Sequence, residues 1–213
     1  NGFKICVGKG SIFGQDLQEL REIIEKDSAQ FDANAVHSSA FEKSDILPEY
    51  DRYIQSNIKL KKKLKIVVDS GNGAAGPIAP QIYRALGCEV EELFCKPDGN
   101  FPNHEADPTV VKNLQDLIRA VKKSGADAGI AFDGDADRIG VVNEKGEILW
   151  GDELMVIFSR EILKTNPGAT IISEVKSSNR LYNDIAKLGG NPIRWNMGHS
   201  LIKAKIKETQ AAL

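Results

Sequence analysis

Short apolar runs that end in glycine-rich or acidic turns recur along the chain, and their alternation with helical patterns constrains the fold more than any other feature. Residues 66–69 form one such run, followed by a glycine-rich turn, a helical pattern over 77–86 and a second apolar run at 90–94. A strand, a helix and another strand in succession are typical of parallel pairing within one sheet. The sequence therefore predicts an α/β protein, with mixed, mostly parallel sheets and helices on both faces.

The same alternation extends over most of the chain and divides it into three parts. The other predicted strands are 3–7, 128–132, 139–142, 147–149, 170–175 and 193–196. The other predicted helices are 15–26, 46–58, 110–123, 153–164, 179–188 and 199–213, the fourth of them capped by Asp152. A polar stretch over 27–44 is predicted to be a loop or hinge. We expect parts at 1–44, 45–150 and 151–213, the last with too few strands for a full sheet.

Composition and charge exclude several classes of protein. The 213 residues are 41% hydrophobic and 27% charged with a net charge of −2, so no overall field favours nucleic acid or an anionic membrane. No apolar run is long enough to span a bilayer. The three cysteines lack the spacing of a metal site, which favours free thiols and a cytoplasmic location. Because the first residue is Asn1, we expect the chain to be a piece of a longer polypeptide.

One loop carries three carboxylates at alternate positions. Asp133, Asp135 and Asp137 are separated by small residues, and Arg138 closes the loop. Like charges at this spacing repel unless a cation lies among them, so the loop predicts a metal site. An oxygen-only ligand set favours a hard ion, Mg²⁺ first and Ca²⁺ or Mn²⁺ after it. The loop follows the predicted strand 128–132, and open α/β sheets bind their ligands at the carboxyl ends of strands.

Other interpretations of this loop can be weighed on its residues. An EF-hand would need glycine where the chain has Arg138, and helices as flanks, so that interpretation fails. A haloacid-dehalogenase-type phosphatase, with Asp133 as nucleophile, usually carries Thr or Val where this chain has Asp137, and it stays as an alternative. A non-catalytic Ca²⁺-stabilised binding module, and surface acids without a ligand, are the remaining possibilities.

Two further strand ends carry candidate binding groups. Lys176 follows the predicted strand 170–175, and His199 starts the last predicted helix. Taken alone, the lysine suits a solvated loop and the histidine a helix start that bonds to backbone. Their position at the carboxyl ends of strands favours contact with a ligand. Gly71 and Gly73 fit a tight turn and a phosphate-binding role equally well, so both interpretations stay open.

Four ordered segments resemble the α-D-phosphohexomutase family, in its bacterial phosphomannomutase/phosphoglucomutase branch. The segments are 67–76, 98–104, 132–138 and 198–203. The resemblance implies a four-domain enzyme that interconverts hexose 1-phosphate and hexose 6-phosphate through a phosphoserine and a hexose 1,6-bisphosphate. It implies that the three aspartates hold Mg²⁺ and that Arg138 contacts the transferred phosphoryl group. It also implies that Lys176, Gly198 and His199 contact the sugar phosphate.

The sequence departs from this family at several points. It lacks the Thr-x-Ser-His-Asn-Pro segment of the nucleophile, for which His37-Ser38-Ser39 is no substitute, and it lacks the later Gly-Glu-Met-Ser-Gly-His loop. Ala136 stands where many members carry glycine, a change that we expect the loop to tolerate. We therefore expect a central fragment: the end of domain 1, all of domain 2 and a truncated domain 3. Such a fragment would need the missing domains of its own polypeptide and would be inactive alone.

Overall fold

The computed structural model describes residues 5–8, 10–27 and 42–213. The predicted hinge lies almost wholly outside the described residues, as do His37, Ser38 and Ser39. Two compact units are present. One is Lys43–Gly151, and the other contains Asp152–Leu213 together with the described residues before Lys43. Within the part of the chain that is described, no helix has both the length and the apolarity needed to cross a bilayer.

The observed helices and strands match the predicted ones closely in number and position. The helices are α1 (Gln15–Asp27), α2 (Leu47–Asn57), α3 (Ala79–Ala85), α4 (Gln115–Ser124), α5 (Gly151–Thr165), α6 (Asn179–Lys187) and α7 (His199–Thr209), with a 3₁₀ turn at Val111–Leu114 before α4. The strands are β1 (Cys6–Val7), β2 (Gly10–Ser11), β3 (Lys65–Asp69), β4 (Glu89–Leu93), β5 (Ala128–Phe132), β6 (Ile139–Asn143), β7 (Ile148–Leu149), β8 (Thr170–Glu174) and β9 (Asn191–Trp195). The short strand β2, which pairs with β1, was not predicted.

The unit Lys43–Gly151 is built on a five-stranded sheet in the order β4-β3-β5-β6-β7. Its first three strands are parallel, and β5, β6 and β7 pair antiparallel. The β6–β7 hairpin turns at Lys145-Gly146, as predicted, with the Gly146 N–H donating to Asn143. The mixed α/β class is confirmed.

Alternation along β3 places a helix on each face of this sheet. Val67 packs with Leu117 and Val121 of α4, whereas Ile66 and Val68 pack on the other face, with Tyr83 of α3. All three β3 side chains are buried. Because neighbouring strand residues point to opposite faces, a continuous apolar run is what a strand covered on both sides requires. The predicted helices on both faces are therefore observed in this unit.

The unit that contains Asp152–Leu213 has a smaller core around the parallel pair β8–β9. Ile171 of β8 packs with Val156 and Leu163 of α5 and with Leu181 and Ile185 of α6. The predicted N-cap at Asp152 is wrong, because α5 already begins at Gly151 and Asp152 lies in its first turn. The Asp152 carboxylate instead accepts a hydrogen bond from the backbone N–H of Ser178 at 3.1 Å.

Candidate functional site

The three-aspartate loop, residues 133–138, joins β5 to β6 as the turn of an antiparallel hairpin. Phe132 of β5 pairs with Ile139 of β6, directly before and after the loop. Inside the loop, the Asp133 N–H donates to the Arg138 carbonyl at 3.3 Å, and the Ala136 N–H donates to the Asp133 carbonyl at 3.1 Å. Direct pairing of β5 with β6 was not predicted, and it makes the loop a short closed turn. We call residues 133–138 the metal loop.

The turn brings the three carboxylates together. Asp133, Asp135 and Asp137 each offer an oxygen that lies within 4.8 Å of the other two. Asp133 is buried, and the other two are exposed. Oxygens bound to one Mg²⁺ at about 2.1 Å lie about 3.0 Å apart in adjacent positions and about 4.2 Å apart in opposite ones, so small rotations of the side chains would bring this set to ligand spacing. The donors therefore fit a hard divalent cation.

Asp133 is the anchored member of the trio. Its Oδ1 accepts the backbone N–H of Arg138 at 2.9 Å. Burial raises the pKa of the Asp133 carboxyl above its usual range, and the charges of Asp135 and Asp137 raise it further. The Arg138 backbone hydrogen bond opposes this shift in pKa. Burial and the two acidic neighbours therefore disfavour the ionised form of Asp133, and a bound cation would stabilise it.

Arg138 balances part of that charge from the rim. Its Nε lies 3.7 Å from Oδ2 of Asp133 and 3.8 Å from Oδ1 of Asp137. The side chain is 62% exposed, so these contacts are loose and screened by water. A guanidinium at the rim of an acidic loop is placed to meet an anionic ligand such as a phosphoryl group, for which its planar donors are suited.

The glycine-rich turn after β3 lies against the metal loop. The Ala74 N–H donates to the Gly134 carbonyl at 3.0 Å. A side chain at Gly73 would place its Cβ 2.8 Å from that same oxygen, and one at Gly134 would lie 3.5 Å from the ring of Phe101. Close approach of backbone to backbone explains glycine at position 73 without any phosphate.

A hydrogen-bonded pair, Asp69 and His104, lies beneath this turn, and sequence reasoning missed it. Asp69, the last residue of β3, is fully buried, and its Oδ2 lies 3.1 Å from Nε2 of His104. Nδ1 of His104 lies 2.8 Å from the Glu105 carbonyl oxygen. Burial raises the pKa of Asp69, while the N–H of Gly71 and the His104 side chain oppose that shift. The sequence offered an acid at a strand end and a histidine in the segment 98–104, and neither residue alone indicates that the two pair.

Two asparagines, Asn72 and Asn103, stabilise the same turn by hydrogen bonds. Asn72 has a left-handed backbone, with φ of 61°. Its N–H donates to Phe94 at 2.7 Å, and its Nδ2 donates to the Lys96 carbonyl at 2.8 Å. Its Oδ1 accepts from Nδ2 of Asn103 at 2.7 Å. The turn after β3 is thus fixed to the segment after β4 by side chains as well as by backbone.

The three predicted sugar-contacting residues lie in the unit that contains Asp152–Leu213. Lys176 is exposed in the turn after β8, and Gly198 and His199 are exposed at the start of α7, after β9. Since β8 and β9 are parallel neighbours, with Glu174 opposite Trp195, all three residues follow the carboxyl ends of adjacent strands. Gly198 has φ of 128°, which a residue with a side chain rarely adopts.

The fold and the acidic turn define an α/β domain with three clustered carboxylates in the loop that follows β5. Family comparison identifies this class. Residues 48–146 match the phosphoglucomutase/phosphomannomutase α/β/α domain II, and residues 150–213 match domain III of the same family. The chain belongs to the phosphoglucomutase/phosphomannomutase family.

Individual relatives agree with the family. The chain is 49% identical over 213 residues to a phosphomannomutase/phosphoglucomutase of Pseudomonas aeruginosa, covering 100% of this chain and 45% of that protein. It is 47% identical to a phosphoglucomutase of Neisseria meningitidis, over 99% of this chain and 45% of that one. A crystal structure of a family protein from Burkholderia thailandensis matches with a TM-score of 0.87 and 45% identity, over 95% of this chain and 43% of that chain. The chain thus spans a little under half the length of these relatives.

Proposed function

We propose that this chain is the central part of a Mg²⁺-dependent phosphohexomutase, which interconverts hexose 1-phosphate and hexose 6-phosphate through a phosphoserine and a hexose 1,6-bisphosphate. The observation that carries the proposal is the metal loop: three carboxylates within 4.8 Å, with an exposed arginine at its rim. Family membership and relatives named as phosphomutases support the reaction class.

Charge explains how these residues would serve phosphoryl transfer. The reaction needs little covalent help from the protein and much neutralisation of the transferred group. Asp133, Asp135 and Asp137 would hold Mg²⁺, which supplies positive charge next to the phosphoryl oxygens. Arg138, whose guanidinium faces the loop only through Nε and stays largely exposed, would bind the transferred group. Three carboxylates against a divalent cation leave about one negative charge, which Arg138 offsets.

The sugar-phosphate contacts belong to the second part of the proposal. Lys176, Gly198 and His199 would bind the sugar phosphate, supported by their exposed positions after the neighbouring strands β8 and β9. We propose the domain limits 45–150 and 151–213, with 1–44 as the end of domain 1. A cytoplasmic location is part of the same proposal.

The phosphatase alternative is less well supported than the mutase. Oδ2 of Asp133 has only a loose contact with Arg138, so it could face an incoming phosphorus as readily as a metal ion. The names of the relatives favour a mutase. The two reactions differ in where the phosphoenzyme forms, on serine or on Asp133.

The test compares Arg138→Ala with a matched control in the full-length parent polypeptide. With Mg²⁺ and hexose 1,6-bisphosphate present, the parent converts glucose 1-phosphate or mannose 1-phosphate to the 6-phosphate, and R138A lowers kcat about 100-fold because one charge-neutralising donor is lost. Arg119→Ala, which removes an exposed arginine paired with Asp116 on α4, keeps wild-type kcat.

Two results would contradict the proposal. One is a parent enzyme that releases inorganic phosphate and accumulates acyl-phosphate on Asp133 in place of phosphoserine. The other is conversion that proceeds equally well in R138A and R119A, which would remove Arg138 from the reaction.

A further inference from the structure

We propose that His104 is a positioning residue for the metal loop: through Asp69 and the glycine-rich turn it fixes the backbone at Gly134, between two of the proposed metal ligands. His104 acts on the loop through hydrogen bonds and packing contacts, and the inference rests on the proposed function only for the identity of the bound ion. It starts from the buried pair beneath the turn, which the proposed chemistry leaves unused.

The contacts form an unbroken series from His104 to the metal loop. His104 Nε2 faces the Asp69 carboxylate, whose Oδ1 accepts the Gly71 N–H at 2.9 Å. The Gly73 N–H then donates to Ser70 at 2.7 Å, which closes the turn. At the far side of this turn, the Ala74 N–H holds the Gly134 carbonyl at 3.0 Å.

Packing makes the series stiff. A Cβ at Gly71 would lie 2.9 Å from the Ala106 side chain and 3.3 Å from Cε1 of His104. A Cβ at Gly73 would lie 2.8 Å from the Gly134 oxygen. The turn is therefore in close contact with the His104 segment at Gly71 and with the metal loop at Gly73, so a displacement on one side is transmitted to the other.

Burial and hydrogen bonding explain why this pair cannot loosen easily. Both ring nitrogens of His104 lie at hydrogen-bond distance from oxygen atoms, one on the Asp69 carboxylate and one on the Glu105 carbonyl. Asp69 has no exposed surface, so loss of the histidine contact would leave a buried carboxylate with the Gly71 N–H as its remaining donor. The segment 98–104 is thereby fixed onto the end of β3.

The test separates the two nitrogens of His104 by matched substitutions. His104→Asn keeps a donor near the position of Nδ1 and loses the reach to Asp69, whereas His104→Gln keeps a donor near Nε2. Both remove the edge contact of the ring with Phe94, so this loss is shared. Two readouts follow in the 213-residue chain: amide hydrogen exchange at Ala74 by NMR, and Mn²⁺ affinity by calorimetry.

His104→Asn is expected to speed exchange at Ala74 about tenfold and to weaken Mn²⁺ binding about tenfold, the range seen for outer-shell partners of metal sites. His104→Gln is expected to restore both toward wild type. The Asp127 amide, which donates to Lys65 at the opposite end of the same sheet, is the internal reference and should not change.

The outcomes distinguish the two proposals. Equal exchange changes at Ala74 and Asp127, or identical behaviour of the two variants, would overturn the positioning role and leave a merely structural histidine. If the wild-type chain binds no Mn²⁺, the proposed metal centre fails, and exchange at Ala74 still decides for or against the link from His104.

Discussion

Ala136, at the exposed tip of the metal loop, adopts a left-handed backbone with φ of 62°. Its N–H closes the tight turn by donating to the Asp133 carbonyl at 3.1 Å. For a residue with a Cβ this conformation costs about 1–2 kcal/mol relative to the right-handed region. Glycine at this position, as the family resemblance describes for many members, avoids that cost. Alanine has the smallest side chain for which this backbone conformation carries that cost.

Substitution at position 136 should follow this steric argument. Ala136→Val is expected to lower the free energy of unfolding by about 1–2 kcal/mol, because a β-branched side chain suits the left-handed region worst. Ala136→Gly should stay within about 1 kcal/mol of wild type, since relief of strain offsets the greater freedom of the unfolded chain. Urea denaturation at pH 7 measures both variants. A valine variant as stable as wild type would contradict the backbone geometry of the loop.

At the scale of elements, the turn that carries Lys176 connects β8 to α6, and it is held by a hydrogen bond to a third element, α5. Asp152, in the first turn of α5, accepts the N–H of Ser178, the N-cap residue of α6. Ser173 and Ser177 add a hydroxyl contact of 2.5 Å across the same turn. Two helix starts and one strand end therefore meet at this turn.

The Asp152 contact should give a defined pH dependence. Hydrogen bonding from Ser178 lowers the pKa of Asp152 below its ordinary value of 3.8. The ionised carboxylate therefore stabilises the fold fully above pH 3.8, and this contribution is lost as the pH falls through the lowered pKa. Asp152→Asn is expected to be less stable than wild type by about 0.5–1 kcal/mol at pH 7, a charged hydrogen bond discounted for partial exposure.

Denaturation curves of wild type and D152N, recorded from pH 7 downward, would measure that dependence. The difference in stability should hold constant to about pH 4 and shrink below it. A difference that grew on acidification would show that the contact does not depend on the carboxylate charge.

At the scale of the whole molecule, the three clustered carboxylates lie within this chain, whereas the Thr-x-Ser-His-Asn-Pro segment, to which the proposal assigns the phosphoserine, does not occur in the printed sequence. All three proposed ligands come from one turn of one unit. Binding of the ion and turnover of the sugar phosphate should therefore be separable properties.

The 213-residue chain is accordingly expected to bind Mg²⁺ or Mn²⁺ and to show no mutase turnover. Calorimetry should detect the ion, and Asp135→Asn should weaken binding at least about tenfold, because one of three charged ligands becomes neutral. Asp116→Asn, the same change at an exposed ion pair on α4, is the matched control. Conversion of glucose 1-phosphate by the chain alone would contradict the requirement for the missing serine.

The sequence predicted what depends on local pattern. Periodicity located the helices and strands, and the aspartate spacing located the loop in which three carboxylates lie close together, because both are set by neighbours along the chain. The pairing of Asp69 with His104, 35 residues apart, depends on where two segments meet in space. The prediction of Asp152 as a cap failed for a similar reason, since the helix begins two residues earlier than predicted and the Asp152 carboxylate has its partner 26 residues away.

The antiparallel closure of β5 onto β6 has a consequence for how such a site can be moved between proteins. All the carboxylates and the arginine lie between two paired residues, Phe132 and Ile139. Replacing the tip of another two-stranded ribbon of the same register with residues 132–139 would transplant the complete ligand set in one piece. The Ala74 N–H that holds the Gly134 carbonyl would stay behind, so a graft of this kind would show how much of the ion affinity belongs to the ribbon itself.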